Sequence, residues 1–83
     1  MEDIKKLISE MVTGIVDDTN SVSVLSEDTE KGILYEIKVG KEDVGKIIGK
    51  KGRVASAIRT VAKAAGAKRG KRVMVNVFNR PLE

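Results

Sequence analysis

The stretch Ile47-Ile48-Gly49-Lys50-Lys51-Gly52-Arg53 decides how the rest of this 83-residue chain is read, because apolar helical patterns run up to it from both sides. Two glycines flank two lysines. The backbone there can take conformations closed to residues with a Cβ, and another backbone can come close to it. The pattern predicts a tight turn between two helices that offers cations and amide groups to an anion, and a phosphodiester fits that description.

Upstream of the turn, Lys41-Glu42-Asp43 starts a short helix whose apolar positions are Val44, Ile47 and Ile48. Glu42 and Asp43 complement its N-terminal dipole. Gly45 inside so short a helix costs about 1 kcal/mol against alanine, which marks a close approach, by the facing helix or by a ligand backbone. Downstream, a longer helix is expected from Arg53 to about Ala65, ended by Gly66 in the C′ position. At 100° per residue Val54, Ala55, Ala57, Ile58, Val61, Ala62, Ala64 and Ala65 fill about half its circumference, and Ser56, Arg59, Thr60 and Lys63 the rest. That arc exceeds the roughly 100° stripe that packing on one sheet requires. Its edge, Ala57, Val61 and Ala64, either completes the core or reaches beyond it to a second molecule.

Further out, Ile4, Leu7, Ile8, Met11, Val12 and Ile15 recur at three- and four-residue steps, so a helix from Asp3 to Val16 is expected, with Glu2 and Asp3 at its dipole. Asp17-Asp18-Thr19-Asn20 ends it. Val22 and Val24 alternate with serines, and Ile33, Tyr35, Ile37 and Val39 alternate with Leu34, Glu36 and Lys38, the two-residue period of strands. An acidic loop, Glu27 to Gly32, joins these two strands as a hairpin. After a basic loop from Lys68 to Lys71, the segment Arg72 to Phe78 carries Val73, Val75 and Val77 on one face. A strand that returns through helices to its own sheet lies parallel to its neighbour. The expected fold is therefore α+β, one domain over residues 1–83 in the order α-β-β-α-α-β, with a three-stranded mixed sheet and the helices on one face.

Composition narrows the chemistry. With no cysteine and no histidine there are no disulfides and no thiolate or imidazole metal ligands, and the commonest general base is absent. The expectation is a non-enzymatic protein without metal or cofactor in a reducing, cytosolic compartment. No apolar run approaches the roughly 20 residues of a membrane span, and Met1-Glu2-Asp3 lacks the basic start of a secretory signal. The net charge of +4 conceals a division: residues 1–43 carry eleven acids against five bases, whereas residues 44–82 carry eleven bases and no acid. So long a stretch without a carboxylate points to a polyanionic partner.

The run Val44-Gly45-Lys46-Ile47-Ile48-Gly49-Lys50-Lys51-Gly52-Arg53 resembles the VIGxxG signature of the KH domain, and the element order resembles its type II form. The length, the Asp43-Val44-Gly45 approach and the Ser56-Ala57-Ile58-Arg59 continuation are similar to small single-domain bacterial KH proteins. The resemblance implies a groove that holds about four nucleotides of single-stranded RNA, with the GXXG loop Gly49–Gly52 on the phosphates. On that basis the RNA-binding set is Gly49, Lys50, Lys51, Gly52 and Arg53, with Lys46, Val44, Gly45, Ile48, Ser56 and Arg59. Bases lie against Val44 and Ile48, and free amides at the start of the Arg53 helix face an anion. The resemblance also implies a post-transcriptional regulator or RNA chaperone that associates with a second KH-containing protein, and the over-wide arc of the Arg53 helix suggests a homodimer through Ala57, Val61 and Ala64.

Other readings fit less well. A phosphate-loop NTPase needs four residues between its glycines, and Gly45 to Gly49 encloses three, with Lys51 where a Ser or Thr would hold magnesium. A helix-turn-helix reader of duplex DNA is the better rival. Its recognition helix would present Ser56, Arg59, Thr60 and Lys63, with no Asn or Gln to read adenine. Tyr35 and Phe78 are the sole aromatics, which disfavours a base-stacking module; Tyr35 falls on the core side of its strand, and Phe78 suits covering the sheet end. A protein-interaction subunit remains compatible with RNA binding.

Overall fold

Alternation of β-branched residues with polar ones builds the centre of the molecule. Strand β2 (Gly32–Val39) buries Tyr35, Ile37 and Val39 on one side, and β3 (Val73–Asn79) buries Val73 and Val75 beside them. These strands pair in parallel with Tyr35 opposite Val75, while β1 (Ser23–Thr29) pairs antiparallel to the other side of β2 with Val24 opposite Ile37. The sheet order is β1-β2-β3, which leaves β3 a free edge. The computed structural model describes residues 2–79, without the side chains of Glu2, Phe78 and Asn79. The expected roles of Glu2 and Phe78, and the charges of Arg80 and Glu83, lie outside the described residues.

Three helices, α1 (Glu2–Thr13), α2 (Val44–Ile48) and α3 (Arg53–Lys68), cover the buried side of the sheet. Ile4, Ile8 and Val12 of α1, Ile47 of α2, and Ile58 and Ala62 of α3 join Val24, Tyr35, Ile37, Val39, Val73 and Val75 in one cluster. Each fully buried Val or Ile contributes about 1.5–3 kcal/mol relative to exposure. The alternate residues of β2, Leu34, Glu36 and Lys38, stand on the opposite side and take no part in it. The order α-β-β-α-α-β, the parallel third strand and the placement of the helices are as the sequence predicts.

Several boundaries differ for identifiable reasons. Helix α1 stops at Thr13 rather than Val16; Val16 is still buried, but Ile15, expected on the core face, is 36% exposed. The acidic segment is strand through Thr29, with only Glu30 and Lys31 between it and β2, because Glu27 pairs with Leu34 and Asp28 with Ile33. Cross-strand hydrogen bonding overrides the weak intrinsic strand preference of Glu and Asp there. Gly66 is not the C′ residue. It lies buried inside α3, where an added Cβ would sit 2.3 Å from Cγ2 of Val73, so glycine lets β3 cross the helix closely. The helix runs on to Lys68, and Gly70, just past the Arg69 cap, takes the left-handed conformation (φ +71°) and donates its amide to the Ala67 carbonyl.

Asp43 is the largest departure from the local reading. Instead of complementing a dipole from the surface, it is 3% exposed, and its carboxylate accepts from the backbone amides of Asp17 (3.3 Å) and Asp18 (3.1 Å). Lys46 stands 3.6 Å away and also pairs with Asp17. The carboxylate thus fixes α2 to the connection between α1 and β1. The Asp18 amide first, opposed by burial and aided by the Asp17 amide and Lys46, holds its pKa below the ordinary value of 3.8. A depressed folded pKa contributes stability that is present above the unfolded value and lost as pH falls through the folded one. Asp43→Asn should therefore lower the thermal midpoint at neutral pH, with the gap to the parent closing as pH drops below 3.8. Circular dichroism melts across that range check it; a gap independent of pH would refute the assignment.

Candidate nucleic-acid interface

Helix α2 ends because Gly49 leaves helical space, with φ +76° and ψ 173°. Its amide donates to the Gly45 carbonyl at 2.8 Å, and an added Cβ would lie 2.4 Å from Cγ2 of Val54. Both the conformation and the crowding require glycine. Lys50–Gly52 form one turn of 3₁₀ helix in which Lys51 takes φ +58°, and Gly52, at φ +73°, starts α3. A Cβ built on Gly52 meets no atom within 4 Å, so that glycine answers to backbone conformation alone. Lys50 and Lys51 are exposed and, among the described residues, form no ion pair.

The expected free amides at the start of α3 are in part engaged: Gly52 donates to the Gly49 carbonyl at 3.1 Å and Arg53 to that of Lys50. What the turn offers outward is chiefly lysine charge over a closed, glycine-shaped backbone. Beside it, Ile48 is 41% exposed, an unusual place for isoleucine, while Val44 is half-buried against the core. Gly45 has no atom within 4 Å of an added Cβ, which overturns the facing-helix explanation and leaves the space above it open. Ile48, Gly49–Gly52, Arg53 and, one turn on, exposed Ser56 therefore collect at one end of the molecule.

Two of the expected residues are otherwise occupied. Lys46 projects from the side of α2 opposite Ile48, at 100° per residue, into its pairing with Asp17 and Asp43. The Asp17 carboxylate, ahead of the opposing effect of burial, raises its pKa. Arg59 donates from Nε to the Val75 carbonyl at 3.0 Å. Because Ile33 donates to the Arg72 carbonyl, the parallel ladder turns the main-chain groups of Val73, Val75 and Val77 to the free edge of β3, where Arg59 meets one of them. Arg59 thus joins α3 to that edge, which runs beside the helix. The opposite flank of α3 carries Ala57, Val61 and Ala64, all exposed, and Met11, Ile15, Val54, Ala57, Ile58 and Val61, with Arg53 of the turn at its edge, line a mostly apolar groove of 390 Å³ there. Sequence reasoning missed the contribution of Ile15, just past α1, to that groove, since Ile15 reads as core.

A three-stranded mixed sheet covered by three helices, with a two-glycine turn between the second and third, is the architecture of a type II KH domain. The family model of the KhpA/KhpB KH domain matches residues 5–77. The chain belongs to this family. It is 46% identical over 75 residues to the RNA-binding protein KhpA of Clostridium acetobutylicum, covering 90% of this chain and 100% of that protein. The RNA-binding protein KhpA of Bacillus subtilis is 41% identical over 76 residues, 92% of this chain and 94% of that protein. Among solved structures, Aquifex aeolicus Era bound to GDP and aluminium fluoride superposes with a TM-score of 0.67 at 20% identity, over 92% of this chain and 29% of the Era chain. That likeness supports the fold. Among the described residues no helix is long and apolar enough to cross a membrane, and no cluster of acids could hold a metal ion.

Proposed function

We propose that this chain, acting as one KH domain over residues 1–83, binds single-stranded RNA along α3 and the free edge of β3. The Gly49–Gly52 turn clamps the phosphate backbone, with Lys50, Lys51 and Arg53 as its cations. Bases lie against Ile48 and Val44 over the open face at Gly45 and beside Ser56, their polar edges met by main-chain groups of β3. Lys46 and Arg59 act at second hand, holding α2 and the strand edge in place. The observation that carries this reading is the pair of exposed lysines, without a carboxylate partner among the described residues, on the turn between crowded Gly49 and open Gly52, with open space at Gly45 and the exposed Ile48 just before it. The relatives that share the whole domain are named RNA-binding proteins, which supports the same reading and favours a binding protein over an enzyme.

In this reading the protein is a cytoplasmic post-transcriptional regulator or RNA chaperone that works as a homodimer, or paired with the KH-containing protein KhpB, through Ala57, Val61 and Ala64. The duplex-DNA alternative is weakened at the helix that would read bases. Arg59 is tied to Val75, and the Thr60 hydroxyl donates to the Ser56 carbonyl at 2.9 Å, so two of its four polar side chains are turned to the protein's own backbone. Titration against single-stranded RNA, single-stranded DNA and duplex DNA of equal length, at two salt concentrations, tests the proposal. We expect single-stranded RNA to bind tightest and the duplex at least about tenfold more weakly. Tighter duplex binding with major-groove protection would overturn it.

A further inference from the structure

The bases of residues 44–82 are not equally available to a ligand. Among the described residues, Lys46 is paired with Asp17 and Asp43, Arg69 with Asp3, and Arg59 is held on the Val75 carbonyl. Lys68 lines a pocket whose wall includes Asp3 and Glu10. The other described bases gather at the two ends of α3. Lys50, Lys51 and Arg53 stand at its start, in the turn already described. At its far end Lys63, Lys71 and Arg72, all exposed, line one pocket of 450 Å³ with Ala67, Val73 and Met74, and no acid contributes to its wall.

The chain reversal that brings these three together is built into the fold. Buried Gly66 accepts the amides of Arg69 and Lys71, each at 2.9 Å, and Gly70 turns the backbone through positive φ. Arg72 then enters the sheet with its carbonyl on the Ile33 amide, beside the lysine one helical turn before Ala67. At 100° per residue Ser56 and Lys63 lie about 20° apart on α3, on the side of Arg59, which meets the β3 edge, and away from Val61. We propose that Lys63, Lys71 and Arg72 form a second phosphate-binding site, which takes the RNA strand after it leaves the Gly49–Gly52 turn and makes the footprint longer than four nucleotides. This rests on the RNA-binding reading above. Lys63 lies ten residues beyond Arg53, about 15 Å along the helix axis. A strand stacked at about 3.4 Å per nucleotide covers that distance in four to five steps. The cluster is therefore reached by nucleotides that follow those at the turn.

The test compares the full chain with a variant carrying Lys63→Gln, Lys71→Gln and Arg72→Gln on random-sequence RNAs of four and ten nucleotides. A control with Lys5→Gln, Lys6→Gln and Lys31→Gln removes the same charge elsewhere. All three proteins should give the same far-UV circular dichroism, since the substituted cluster is exposed. The cluster variant should lose at least about tenfold affinity for the ten-nucleotide RNA at low salt, and its log-log salt slope should fall by about 2, at ~0.7 per released counterion. On the four-nucleotide RNA it should change less than about twofold, and the control should change little on either. Equal losses on both lengths, equal losses in the control, or no loss on the longer RNA would each overturn the second site while leaving the turn as the RNA site. A parent that binds neither RNA would overturn both readings together.

Discussion

Replacing Lys50 and Lys51 by aspartate should abolish RNA binding and leave the fold unchanged. Both side chains are exposed on the turn, and among the described residues neither is paired. Lys51 sits at φ +58°, a left-handed conformation that aspartate tolerates better than most residues. Two carboxylates just before α3 also meet the positive end of its dipole instead of opposing it. The stability change should therefore stay within about 0.5 kcal/mol, as for surface substitutions that disturb no buried group. Binding responds differently. Two lost counterion releases lower the log-log salt slope by about 1.4 on a single strand, and reversed charge adds repulsion on top of the lost attraction. A loss of well over tenfold at low salt is expected in an electrophoretic titration. If the variant bound RNA like the parent, the phosphate clamp would lie elsewhere, whatever the family resemblance implies.

That turn was the most legible part of the molecule in sequence, and the reason is physical. Gly49 and Gly52 act through their own backbone torsions, and a torsional requirement is local enough to be written in the residue that meets it. The alternation of β2 and β3 is equally local and predicted the sheet face, while the return of the chain through two helices predicted the parallel pairing. What sequence could not separate was the use of one glycine from another. Gly66 and Gly70 are both credible helix ends; only the passage of Val73 against Gly66 assigns the first to packing and the second to termination. Gly45 invited a packing role, yet the space above it is open.

Charged residues were the other illegible set, because their meaning depends on partners far along the chain. Asp43 and Lys46 look like ordinary members of an acidic approach and a basic motif. Their partners, Asp17 and Asp18, lie 25 to 29 residues away and turn them into a brace beneath α2. The same ambiguity hid the acidic hairpin, where Glu27 and Asp28 belong to a strand because β2 offers them a ladder. In the basic half, structure separates cations engaged within the protein from those left exposed and unpaired among the described residues, a distinction that the net charge of +4 cannot express.

The second large effect expected is on assembly, from Val61→Arg. Val61 is 42% exposed and lies outside the core cluster, so the alternative that it completes the core is excluded. Exposed Ile15 and Val61, with Ala57 between the lines of α1 and α3, form an apolar groove that a small, charged protein has reason to cover. Alanines at 57 and 64 let a second helix approach closely. The proposed dimer places this patch on the flank of α3 opposite the proposed RNA path, so that two modules can engage one strand and gain by effective concentration what each lacks alone. An arginine at 61 would bury an unpaired charge in that interface but remain solvated in the monomer. The expected result is a folded monomer by sedimentation with unchanged far-UV circular dichroism. Affinity for a short RNA should be retained, and the gain on an RNA long enough for two modules lost. A parent protein that sediments as a monomer at high concentration would refute the dimer directly, and the groove would then need a different partner.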